Sequence, residues 1–259
     1  MSLNILHIPD GHVEPGTSNR RWTALGRFIL DRRPDVIVNT GDMADMPSLS
    51  HYDKGKSDFH HRRYRDDIDS VQDALRCLHE PIDEYNNHRV SMKKRQYRPR
   101  WVFCHGNHEN RINRAIENDR PMLEGSISLQ DLGLEQYGYE IHPFLQPTNI
   151  NGVLFNHYYT SGIMGKPVGG VNSARTHTVK LMTSTVSGHS HEAHHYMNTT
   201  ADGRKVHALI GGCFFEHSHA FSAASEHFYW RGFHMLNNVA QGEYDLEQVR
   251  MNTLLENYL

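Results

Sequence analysis

Leu3-Asn4-Ile5-Leu6-His7-Ile8-Pro9-Asp10-Gly11-His12 sets the pattern from which the rest of the chain can be read. The apolar run reads as a buried strand ended by Pro9. It delivers the chain directly to an aspartate and a histidine two residues apart. Residues at i and i+2 at a strand end can point to the same side, and the glycine between them permits a tight turn. Alone, this triplet is an ordinary turn. The arrangement recurs, however. Asp35-Val36-Ile37-Val38-Asn39 is a β-branched strand followed by Gly41-Asp42-Met43-Ala44-Asp45, and Arg100-Trp101-Val102-Phe103-Cys104 is a strand followed by Gly106-Asn107-His108-Glu109. Val153-Leu154-Phe155-Asn156 leads into His157, and a strand over 181–186 leads into Gly188-His189-Ser190-His191.

Between the first three strands lie helical patterns. Trp22, Leu25, Phe28 and Ile29 share one face over residues 18–33, with Asn19 or Ser18 as cap and Pro34 as stop. Tyr64, Ile68, Val71, Leu75, Leu78 and Ile82 form an amphipathic face over about 60–90, longer than an ordinary crossover. A β-α-β-α-β order favours a right-handed parallel sheet with helices on its faces. The second half reads as short strands, including 193–197, 206–210 and 233–237, with a helix over 172–182 capped by Asn172 or Ser173. Turn signals at Asn151-Gly152, Asp202-Gly203 and Gln241-Gly242 separate them, and Asp202-Gly203 marks a hairpin. There is no internal repeat or linker, so residues 1–259 read as a single domain, with 46–100 as a helical insertion or cap region.

Composition removes several function classes. At 259 residues and 37% hydrophobic content, the chain can bury a core, yet no stretch approaches the ~18 apolar residues of a membrane span. The N-terminus carries no basic region followed by an apolar one, which points to the cytoplasm. Net charge is -3, so no global field recruits nucleic acid. Locally, Arg89, Lys93, Lys94, Arg95, Arg98 and Arg100 form a basic segment, read either as a solvated helix end or as a phosphate-backbone contact. Cys77, Cys104 and Cys213 have no disulfide or thiolate-zinc spacing. The 21 histidines are the anomaly, and most lie outside the motifs. His177, together with His194, His195, His207, His217, His219, His227 and His234, defaults to surface or hydrogen-bonded rings.

The five strand-end motifs together offer three aspartates, five histidines and one asparagine. Oxygen and imidazole donors without thiolate suit manganese, iron or zinc, and two divalent ions form a device for attacking phosphorus. In order and spacing the motifs resemble the calcineurin-like metallophosphoesterase superfamily, whose pattern is DxH, GDxxD, GNH[DE], H and GHxH. The resemblance spans residues 10–191. It implies a four-layer α/β/β/α sandwich with two mixed central sheets and a metal site at the C-terminal ends of the strands.

Carried over residue by residue, the resemblance implies that Asp10, His12 and His191 hold one ion, that Asn107, His157 and His189 hold the other, and that Asp42 bridges them. His108 is the implied general acid, oriented by Asp45. His142 remains open as an alternative to His157. The implied cofactors are two divalent ions, manganese first, with iron, zinc or nickel also compatible. The implied reaction is attack by a metal-bridging hydroxide on a phosphodiester or phosphomonoester, with nucleic acid admitted as a substrate. A non-catalytic metal-binding scaffold on the same fold is the rival.

Two departures matter. Ser/Thr phosphatases of the superfamily usually place an arginine directly after the second Asp of GDxxD, whereas this chain has Met46-Pro47. Arg111 and Arg114 are candidate replacements, though their spacing first suggests ion pairs on a helix surface; Glu109 reads as a helix-first-turn acid. The Gly-rich stretch 161–170 reads as a flexible connector, with a phosphate cradle or lid as the alternative.

Overall fold

The computed structural model describes residues 2–51, 55, 57–218 and 226–259; His219 lies outside them. The first sheet has β1 (Leu3–Ile8), β2 (Val36–Asn39), β3 (Arg100–Cys104) and β4 (Tyr139–His142) running parallel. The antiparallel pair β12 (Gly232–Ala240) and β13 (Glu243–Arg250) extends it past β1. The second sheet is β10 (Ala193–Thr199), β11 (Lys205–Gly211), β9 (Ser184–Ser187), β6 (Val153–Phe155) and β5 (Thr148–Ile150), in that spatial order and also of mixed direction. Strands β7 (Thr160–Ser161) and β8 (Lys166–Pro167) make a small separate hairpin within the Gly-rich stretch.

Side-chain alternation explains the layering. In β2, Val36 and Val38 point to the second sheet while Ile37 points to the helices. In β3, Val102 and Cys104 face one way and Trp101 and Phe103 the other. Both faces are therefore apolar, as a parallel sheet covered on both sides requires. On the outer face lie α1 (Arg20–Arg32), α2 (Tyr64–Ser91) and the C-terminal α6 (Met251–Tyr258). On the far side α5 (Ser173–Leu181) covers β10 and β11 through Ala174, Ala208 and Ile210. The result is an α/β/β/α sandwich. The described residues include no helix long and apolar enough to cross a membrane.

Several local expectations are corrected. Asn19 sits at the N-cap of α1, but its amide donates to Asp73 Oδ2 at 2.8 Å, tying α1 to α2 instead of capping. The strand expected over 181–186 starts only at Ser184, because Leu181 completes α5 and Met182 turns the chain with φ of 54°. His177 is buried at 1% exposure beside Tyr159, not on the surface. The basic segment around 89–98 precedes the start of β3, whereas the motif loops follow the strand ends. It therefore lies about 15 Å or more from them, at the opposite end of the sheet. A cavity of about 660 Å³ beside it, lined by His79, Tyr97, Trp101 and Tyr137, contains none of the motif residues.

The buried histidines carry a stability consequence. Burial lowers His79 to about 3, and His177 and His234 to about 4. These rings are neutral when folded and titrate near 6.5 when unfolded, so the unfolded chain takes up protons first as pH falls. Stability present above pH 6.5 is lost as pH falls from about 6.5 to about 4 for His177 and His234 and about 3 for His79, by an amount on the order of 3–5 kcal/mol per ring. Urea midpoints should drop steeply across that window, and His234→Gln should flatten the drop; a flat profile in the parent protein would contradict this.

Candidate metal centre

Asp10 and His12 follow β1, Asp42 and Asp45 follow β2, Asn107 and His108 follow β3, His157 follows β6, and His189 and His191 follow β9. Both sheets thus deliver their strand ends to one rim. His12, Asp42, His189 and His191 adopt positive φ of 38°, 50°, 76° and 61°. Non-glycine residues carry such strain where surrounding structure imposes it, commonly at functional sites. Two glycines are required by close approach: a Cβ on Gly188 would collide with Asp10 Oδ1, and one on Gly106 with Asp42 Oδ1.

The donor atoms converge in overlapping groups, each within 4.8 Å: Asp10, His12 and His191; His12, Asp42 and His108; and Asp42, His157 and His189. Asn107 joins the last through its Oδ1, 2.9 Å from His157 Nε2. The structure thus brings the side chains of Asp10, His12, Asp42, Asn107, His157, His189 and His191 together. His142, the alternative to His157, instead pairs with Glu140 at 2.8 Å on β4.

Hydrogen bonding indicates what fits between these atoms. His157 Nδ1 is 2.9 Å from Thr40 O, a carbonyl, so this nitrogen donates. That leaves Nε2 facing Asn107 Oδ1 and, at 3.2 Å, Asp42 Oδ2. His12 Nδ1 likewise lies 2.7 Å from Asp45 Oδ1, leaving Nε2 only 3.0 Å from His191 Nε2. Either a ring N–H bridges these close pairs or both partners of a pair face one cation. Imidazoles whose second nitrogen donates to a carbonyl or carboxylate are the usual form of metal-binding histidine. The donor set suits a divalent ion of the manganese, iron or zinc type.

The electrostatics lead to the same place. Burial alone would raise Asp42, yet the positive charges of His157 and His108 hold it well below the usual carboxylate value. Burial would likewise raise Asp10, but the hydrogen bond to His191 and the charges of His157 and His191 keep it low. Burial opposes charge on His157, and Asp42 outweighs it, lifting that ring to about 9. His12, where burial dominates, falls to about 4, and so does His189. The buried carboxylates thus draw protons onto neighbouring rings, and a divalent cation could satisfy the same field while displacing those protons.

Asp45 serves two rings. Its Oδ1 lies 2.7 Å from His12 Nδ1 and 3.1 Å from His108 Nδ1, and its backbone O is 2.7 Å from the latter. Burial opposes charge on His108, but Asp42 and Asp45 raise it above its ordinary value.

Glu109 is not merely a helix-end acid. Its carboxylate accepts from the backbone N–H groups of Asp42, Ala44 and Gly106 at 2.8–2.9 Å, locking two motif loops together. Nor is Arg111 a surface residue: its guanidinium donates to Asp45 O and Met46 O and reaches His108 Nε2. Rings without a motif complete the wall. Phe215 packs on His12 and His191, Tyr229 on His191, and Tyr158 on His189, with centroids 4.6–5.3 Å apart. No sequence pattern marked them: Phe215 and Tyr229 arrive from loops that carry no donor, and Tyr158 follows His157 with no motif of its own.

The calcineurin-like phosphoesterase family model matches residues 3–212. The chain is 25% identical over 195 residues to the Gene 54 protein of Mycobacterium phage L5, covering 74% of this chain and 70% of that protein. It is 33% identical over 72 residues to the Gene 54 protein of Mycobacterium phage D29, spanning only 28% of that protein's length and 28% of its own. Among solved structures, it resembles a conserved uncharacterized protein of Streptococcus pneumoniae described as a predicted phosphoesterase. That match has a TM-score of 0.40 and 9% identity, covering 97% of this chain and 91% of that one. It also resembles Yfce, a phosphoesterase from E. coli, with a TM-score of 0.38 and 13% identity, covering 96% of this chain and all of that one.

Proposed function

Because this chain belongs to the calcineurin-like phosphoesterase family, we propose that it hydrolyses phosphate esters with two divalent ions, manganese first, held between its two sheets. Asp10, His12 and His191 would hold one ion, Asn107, His157 and His189 the other, and Asp42 both. The observation that carries this reading is the overlap of the donor groups at Asp42, which shares one group with His12 and His108 and another with His157 and His189. Bound there, two ions would clamp the phosphoryl oxygens and make water a nucleophile near neutral pH.

The chain's own residues do the rest. Asp45 keeps the His12 and His108 rings in place. His108, 8% exposed at the edge of the cluster, supplies the proton to the leaving oxygen. Glu109 keeps the Asp42 and Asn107 loops in register through their amides. We place the protein in the cytoplasm and favour a phosphodiester over a monoester, since no arginine follows Asp45. Nucleic acid loses one of its supports, because the basic segment lies at the other end of the sheet and Arg89, Arg98 and Arg100 bond to Arg95 O, Gln96 and Glu140.

The test compares bis-p-nitrophenyl phosphate with p-nitrophenyl phosphate, using chelated and manganese-replete protein. Turnover should require manganese and favour the diester. Turnover absent with every divalent ion would leave the scaffold reading in its place, and turnover indifferent to chelation would remove the ions from the reaction.

A further inference from the structure

The Arg111 guanidinium is held in an unusual way. One arm is spent on the chain itself: Nη1 donates to Asp45 O at 2.8 Å and Met46 O at 3.2 Å, so the planar group cannot swing. The other arm, Nη2, points to the rim of the centre and stops 3.2 Å from His108 Nε2. That nitrogen is the part of His108 not engaged with Asp45, whose backbone O binds Nδ1 at 2.7 Å. A guanidinium fixed by two carbonyls on one side offers its remaining N–H groups in a set direction, which suits a phosphoryl oxygen better than a flexible ammonium would. Arg111 comes from the first turn of α3 (Asn110–Asn118), directly after the Asn107-His108 loop, so the backbone places it next to the donor cluster. Met46 is fully buried, and its backbone O is one of the two carbonyls that orient Arg111.

We infer that Arg111 is the phosphate-binding cation of this centre, its Nη2 taking a non-bridging phosphoryl oxygen in the space it shares with His108. The inference rests on the phosphoesterase reading for the identity of the ligand, while its test rests on anion binding rather than turnover. On binding, an oxygen of the ester accepts from Nη2, and the Nη1 contacts to Asp45 and Met46 stay in place. Arg111→Lys cannot do both, because its single nitrogen cannot stand at once where Nη1 meets the two carbonyls and where Nη2 reaches the rim.

Calorimetric titration of manganese-loaded protein with inorganic phosphate tests this. Arg111→Met should weaken phosphate binding by roughly 10- to 100-fold, the range for losing a charge-assisted contact, and Arg111→Lys should restore little of it. Arg114→Met, an exposed arginine one turn along the same helix, should change it less than about 3-fold. Manganese content of Arg111→Met should match the parent, while its melting temperature should fall modestly because the Asp45 and Met46 carbonyls lose a donor. Unchanged phosphate affinity in Arg111→Met, an equal loss in Arg114→Met, or a loss that tracks manganese content would each overturn the assignment, as would a parent protein that binds no phosphate. Phosphate binding that depends on Arg111 in a protein without turnover would uphold it while removing the hydrolytic reading.

Discussion

Asp42→Asn is expected to strip divalent metal from both halves of the centre at once and to lower kcat/KM by at least about 10³-fold, since the clamp on the phosphoryl group goes with it. The substitution is nearly isosteric, and the backbone contacts that place residue 42 do not depend on its charge. Asp42 N is held by Glu109, and Asp42 O accepts from the N–H groups of Gly11 and His12 at 2.8 Å. An amide oxygen can still accept from His108 N as Oδ1 does now at 2.8 Å. The fold should therefore persist while metal stoichiometry falls, with a lower melting temperature because the bound ions and the Asp42 charge beside His157 are both lost. His189→Ala is the contrast, because it belongs to one donor group only and should remove one ion. If Asp42→Asn retained both ions, the shared-carboxylate arrangement would be wrong even with activity lost.

His108→Asn is expected to keep both metals and lose about 10²- to 10⁴-fold in kcat on esters with alcohol leaving groups, the range for removing a general acid. Esters of p-nitrophenol, whose leaving group departs without a proton, should lose far less. This contrast separates two roles that geometry alone leaves adjacent, since His108 also falls in a donor group with His12 and Asp42. A ligand would take metal with it and slow every ester alike. Equal losses across leaving groups, or metal lost with the ring, would remove His108 from the acid role.

The parts of this protein that were legible in its sequence are those where one local rule acts. Val36 to Asn39 and Trp101 to Cys104 read as strands because both faces are apolar, and the structure buries both. The strand-end donors read as a cluster because imidazoles and carboxylates after buried strands have few structural uses in common. What sequence missed depends on contacts across the fold. Arg111 looked like a surface residue because its partners, Asp45 O and Met46 O, are backbone atoms more than sixty positions away. Glu109 looked like a helix-end acid for the same reason, its three partners being amides of two separate loops. The start of β9 was placed at Leu181 when it begins at Ser184, because Met182 turns the chain in a left-handed conformation that nothing in its side chain announces. The basic segment drew attention by composition, yet its direction relative to β3 puts it at the wrong end of the sheet.

The most direct test of the central claim is an anomalous-difference map from crystals of the protein grown in manganese. Two peaks about 3.5–4 Å apart, with an oxygen of Asp42 in reach of both, are predicted. A single peak, or two of which Asp42 touches only one, would contradict the account.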